Sequence, residues 1–155
     1  MFDVPVDSTY VWFGVGAVSL AVFGVGVGLP SSAPPDARAA ANAVDAVAVG
    51  PSGAVGTHPL PAADRFRLGP TQVGLENDGG RAHATFAYSV TPAVADDRLE
   101  RVLDGDSPRS AFDSPAAFAD AASAASEEKT GWRPAPARLT IRRITWRHVN
   151  VTLVG

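Results

Sequence analysis

The sequence predicts an α+β protein: an N-terminal transmembrane helix and a stalk helix, followed by a small, mainly antiparallel sheet with two helices. Three observations predict it. No charged residue falls between Asp7 and Asp36. A cleanly alternating stretch, Arg81–Val90, follows the turn Asn77-Asp78-Gly79-Gly80. Two helical segments, Asp96–Leu103 with its stop at Gly105 and one opened by Ser114-Pro115, separate that stretch from a terminal strand pair. The expected organisation is a tail (1–9), a transmembrane helix (10–30), a stalk helix with a Pro/Gly/Ala-rich linker (31–63) and an α+β domain (64–155).

The apolar run Val11–Leu29 carries one polar side chain, Ser19. At about 1.5 Å per residue such a segment reaches roughly 28 Å, the thickness of a hydrocarbon core. Tyr10 and Trp12 stand at its first boundary, where amphipathic rings gain from one wet end. Pro30 and Pro34-Pro35 end it. The preceding residues hold Asp3 and Asp7 and no basic side chain, unlike the n-region of a cleaved secretory signal. Gly24 and Gly28 form a GxxxG pair, and Ala17 with Ala21 extends a stripe of small residues along nearly the same face. In lipid, such a stripe lets a second helix approach closely, so Ala17, Ala21, Gly24 and Gly28 are the expected helix-packing residues. The flanks carry too little basic charge to fix orientation. The sequon Asn150-Val151-Thr152 tips the expectation toward an extracellular C-terminal domain.

Pro34-Pro35-Asp36 opens a helix to about Val49, with prolines near its first positions and an Asp in its first turn. A Pro/Gly/Ala loop follows. Arg65–Leu68 and Thr71–Glu76 are short extended segments, and the Asn-Asp-Gly-Gly turn leads into Arg81–Val90, with Ala82, Ala84, Phe86 and Tyr88 on one face. Asp96–Leu103 buries Leu99, Val102 and Leu103 and stops at Gly105. Ser114 caps a helix that has Pro115 at its first position and runs to about Lys129. Leu139, Ile141, Ile144 and Trp146 share one face only if a bulge falls at Arg142-Arg143. Val149, Val151 and Leu153 complete a terminal hairpin.

With no cysteine, disulfides, thiolate metal sites and thiol nucleophiles are excluded. Acids are 12 Asp and 4 Glu, and bases are 12 Arg and one Lys, a composition shared by high-salt proteins and GC-rich genomes. Arg138, Arg142, Arg143 and Arg147 crowd a C-terminal end that has no acid, which reads as a cationic sheet rim neutralised by its own domain. His58, His83 and His148 lack any metal-ligand spacing. Asp104-Gly-Asp106 begins like a calcium loop, but Pro115 stands where the bidentate Glu belongs. No nucleotide-binding or nucleophile-elbow motif is present, so no cofactor, no metal and no nucleic-acid partner is expected.

From Met1-Phe-Asp-Val-Pro through Gly28-Leu-Pro to Asn150-Val-Thr-Leu-Val-Gly, the chain resembles a haloarchaeal family of small single-span proteins of unknown function. Their genes lie near type IV pilus-like assembly components. The overall plan is also similar to that of pilins and pseudopilins, without their basic signal or the glutamate that starts their helix. The resemblance implies an unprocessed accessory subunit of a pilus-like or secretion assembly. It would be single-pass in the cell membrane and non-enzymatic, with assembly subunits or further copies of itself as partners. The alternative expectation is an anchored binding module for a small ligand or surface polymer, with a pocket near Phe86, Tyr88, Trp132 and Trp146.

Overall fold

A computed structural model describes residues 32–155. The expected tail, the transmembrane helix and its packing residues Ala17, Ala21, Gly24 and Gly28 lie outside the described residues. Among the described residues no helix is long and apolar enough to cross a membrane.

Helix α1, Ala37–Ala48, begins where the Asp36 carboxylate accepts a hydrogen bond from the Ala39 N–H at 2.9 Å. It is not the expected stalk. Ala37, Ala40, Ala41, Val44 and Ala48 are all buried, and the helix packs on strands from two sheets. An alanine face forms a helix readily and lets strands come close. At Gly56 an added Cβ would stand 2.5 Å from Val47 Cγ2.

The strands are β1 (Val55–Pro59), β2 (Arg65–Leu68), β3 (Gln72–Asn77), β4 (Gly80–Thr85), β5 (Thr91–Pro92), β6 (Arg133–Pro134), β7 (Arg138–Trp146) and β8 (Val149–Val154). Among the described residues they form two four-stranded sheets, ordered β1-β7-β8-β5 and β4-β3-β2-β6. This corrects the single small sheet expected from the sequence. The second sheet is antiparallel throughout, while β5 pairs parallel to β8. Two further corrections concern strand limits. The expected loop before Ala63 contains β1, and the strand starting at Arg81 stops at Thr85, so that Phe86 turns into the core while Tyr88 is exposed.

No bulge interrupts β7. Its pairing with β8 runs residue for residue from Ile141↔Val154 to Trp146↔Val149. The shift in apolar parity has another cause: the sheet is covered on both faces. Leu139 and Ile141 join α1 and the inner face of the second sheet (Phe66, Leu68, Val73, Leu75) in one core. Ile144 and Trp146 point the other way, into a second core built with α2 (Asp97–Asp104), α3 (Pro108–Ala111) and α4 (Pro115–Glu127). Fully buried Leu99, Val102 and Phe118 fill that second core. Burying each of these side chains stabilises the fold by about 1.5–3 kcal/mol before conformational entropy is charged against it.

Candidate functional site: an open strand edge in a groove

Strand β8 lies between β7 and β5, but β5 reaches only Leu153 and Val154. Among the described residues no strand pairs with Val149–Thr152 on that side, and a cavity of about 870 Å³ opens there. The orientation of the backbone follows from one pair. Thr140 and Gly155 exchange both hydrogen bonds, at 2.7 and 3.0 Å. Hydrogen-bonded and non-hydrogen-bonded pairs alternate along an antiparallel ladder. Val149, Val151 and Leu153 therefore direct their N–H and C=O groups to β7, and Asn150 and Thr152 direct theirs outward. The N–H and C=O of Asn150 and the N–H of Thr152 thus face the groove.

The walls are set by identifiable contacts. On one side stands α4, whose N-cap Ser114 Oγ accepts from the Ala117 N–H at 3.1 Å. Ser126 Oγ donates to the Ala122 carbonyl at 2.9 Å and lies 3.3 Å from the hydroxyl of buried Thr91, tying α4 to β5. On the other side are the C-terminal end of α1 and the segment leading to β5. The Asp45 carboxylate on α1 accepts from the Ala87 N–H at 2.9 Å and the Tyr88 N–H at 3.4 Å, which holds Tyr88 at the rim. The large apolar side chains left exposed among the described residues are Val49 (58%), Val55 (60%) and Tyr88 (51%), and two of the three border this groove. Arg143 reaches the groove from β7 while donating to the Ala48 carbonyl at the end of α1.

A second polar surface covers the outer face of the β4-β3-β2-β6 sheet. Cross-strand register aligns Arg65, Glu76 and Arg81 in one row and Arg67, Gly74 and His83 in the next. Glu76 binds Arg81 at 2.9 Å and lies 3.9 Å from Arg65. The Arg81 hydrogen bond holds its carboxyl below the ordinary value, despite some opposing desolvation. Trp132 lies across Gly74, with the Arg67 and Arg81 guanidinium carbons 5.4 and 5.6 Å from the ring centroid and the His83 ring 5.9 Å away. Gly74 is required there, since a Cβ would meet Trp132 Cη2 at 3.1 Å and His83 Nδ1 at 2.8 Å.

The expected aromatic pocket does not form. Phe86 is in the first core, Trp146 packs on Phe118 in the second, Trp132 lies on the outer sheet face, and only Tyr88 lines the groove. His58 is in β1, His83 in β4 and His148 at the β7–β8 turn, so the three do not converge. Among the described residues no group of three His, Asp or Glu side chains is placed to hold a metal. The Asp104–Asp106 turn instead closes α2, with Arg142 donating to the Val102 and Asp106 carbonyls. The groove itself was not legible in the sequence, because an open edge depends on strand order.

The sequence comparison places the chain in a family. The match runs over residues 3–144, from the N-terminal segment through α1, the β4-β3-β2-β6 sheet and α4 into β7, and stops before β8. The chain belongs to DUF7283, a family of unknown function. No curated protein and no solved structure matches it. Within DUF7283, then, a single family model spans both the charge-free segment and most of the folded unit.

Proposed function

We propose that this DUF7283 protein is a non-enzymatic accessory subunit of a membrane-associated, pilus-like or secretion assembly in a halophilic archaeon. In this reading the folded unit makes the protein contacts. The groove over the open edge of β8 carries the reading. It joins backbone donors and acceptors that are unpaired among the described residues to exposed Tyr88 and Val49. Unpaired strand edges beside exposed apolar rims are where proteins meet other proteins. The charge-free sequence between Asp7 and Asp36 supports attachment to the membrane. The excess of Asp over Glu, with a single Lys, supports a high-salt setting, and the sequon at Asn150 supports an extracellular domain.

Cell fractionation with external protease, combined with affinity purification from native membranes, tests this. The expected result is a membrane-bound chain that loses its folded unit to external protease and co-purifies with assembly subunits. A chain that stays in the soluble fraction and purifies alone contradicts it.

A second reading, a module for an anionic surface polymer, is favoured by the cluster of Trp132, Arg67 and Arg81. Retention on an immobilised polyuronate that is lost in Arg67→Ala and Arg81→Ala variants supports it, and indifference to both changes removes it.

A further inference from the structure

We infer that the open edge of β8 is a strand-addition site that takes one extended segment of a partner protein. The inference rests on the reading of the folded unit as a protein-contact subunit, and it names the chemistry of that contact.

Backbone chemistry comes first. An extended chain laid beside Val149–Thr152 meets the N–H and C=O of Asn150 and the N–H of Thr152, the groups that the β7–β8 alternation turns outward. Main-chain pairing of this kind supplies affinity, and alternate side chains supply selectivity. Four residues of edge span about 13 Å at ~3.3 Å per residue. At the far end the added strand stops against β5, which already covers Leu153 and Val154.

The walls define the occupant. The edge lies at the floor of a groove between α4 and the Val49/Tyr88 side, so a single extended segment reaches it, whereas the sheet of another folded copy meets the walls first. Alternate side chains of the guest point to the two faces of the sheet. On the α4 face they meet Ala119, Ala122 and half-buried Val149 and Val151, small or apolar surfaces that fit an aliphatic side chain. On the α1 face they meet Arg143, whose guanidinium holds the Ala48 carbonyl and pairs with no carboxylate among the described residues. Charge complementarity therefore selects an acidic or hydroxyl side chain there. The predicted partner segment alternates aliphatic and acidic residues.

The probe is the end-blocked peptide Val-Glu-Val-Thr-Val-Glu, added at millimolar concentration to the full-length chain, with amide hydrogen exchange read at Asn150 and Thr152. Both amides are expected to gain protection. Asn150→Pro removes an N–H that points away from β7, a place where an edge strand tolerates proline, and is expected to weaken binding about tenfold or more. Ser123→Trp crowds the groove from α4, leaving the β8 backbone groups in place, and is expected to do the same. A peptide with Pro in place of its central Val should not bind. Unchanged exchange at both amides overturns the inference, as does equal binding by both variants, or protection that arises from self-association of the chain. The two readings fail separately. If membrane partners co-purify with both variants as with the parent chain, the edge inference falls and the accessory-subunit reading stands. If the peptide binds at the edge but no partner co-purifies, the accessory-subunit reading falls.

Discussion

Arg142 and Arg143 are neighbours in β7, yet their guanidinium groups close the C-terminal ends of two different helices on opposite faces of one sheet. Arg142 donates to the Val102 carbonyl in the last turn of α2 and to the Asp106 carbonyl just beyond it, and Arg143 donates to the Ala48 carbonyl of α1. The last carbonyls of a helix lack intrahelical partners and sit at the negative end of its dipole. The basic C-terminal end expected as a self-neutralised sheet rim is, at these two positions, a pair of helix clamps.

Arg143→Ala therefore unclamps α1 and is expected to cost about 1.5–3 kcal/mol, the range for a hydrogen bond to a charged group. Denaturant unfolding of the parent and variant measures the difference. Arg143→Lys should recover part of it, since the charge survives and the planar fork does not.

Asp45→Ala releases the backbone N–H groups of Ala87 and Tyr88. About 1–2 kcal/mol of stability should be lost. Faster amide exchange confined to the segment around Ala87–Val90 is the more specific readout, because the carboxylate acts on the groove rim and not on the buried core.

Asp96 caps α2, its carboxylate accepting from the N–H groups of Arg98 (2.8 Å) and Leu99 (3.2 Å). Partial burial raises its pKa, but the bonds from Arg98 and Leu99 outweigh that and leave it below its ordinary 3.8. Glu76 is likewise held below 4.5 by Arg81. Both folded-state values are depressed, so the stabilisation is present above the unfolded values and is lost as pH falls through the folded ones. Thermal melts should show a decline starting below about pH 4.5, shallower in Asp96→Ala and in high salt. At neutral pH Asp96→Ala should cost about 1 kcal/mol, and Asp96→Asn less.

Gly74→Ala forces a Cβ against Trp132 and His83. About 1–3 kcal/mol of destabilisation is expected, as for other overpacked sites. A red shift in tryptophan emission should accompany it as the indole is pushed off the sheet.

The start of α4 and the end of α2 are legible in the sequence because the signals are local: Ser114 accepts the expected N-terminal bond, and Gly105 ends α2 with φ 137°. Asp36 and Asp96 cap α1 and α2 as well, beyond what the sequence reading predicts. What misled were patterns that depend on distant partners. Leu139/Ile141 against Ile144/Trp146 reads as a bulge if one face of β7 is covered. It is an unbroken strand because α1 covers one face and α2–α4 the other. Val55-Gly-Thr-His-Pro59 lacks apolar alternation and reads as loop, and its pairing with β7 supplies what its side chains do not. Tyr88 followed the alternation of β4 on paper, but the strand ends at Thr85 and Asp45 holds the next residues on another course. The edge of β8 is open because its neighbour β5 is only two residues long and pairs with Leu153 and Val154 alone, which strand order and not local sequence decides.

Site-specific photo-crosslinking in the native cell tests the central claim, that this groove is where the protein meets its partner. A photoreactive phenylalanine is placed at Tyr88 on the rim and, as a control, at exposed Ala116 on α4 outside the groove lining. The account predicts a discrete protein adduct from position 88 that maps to an extended segment alternating aliphatic and acidic residues, absent from position 116 and lost in Asn150→Pro. No adduct at 88, or the same adduct from both positions, would contradict it.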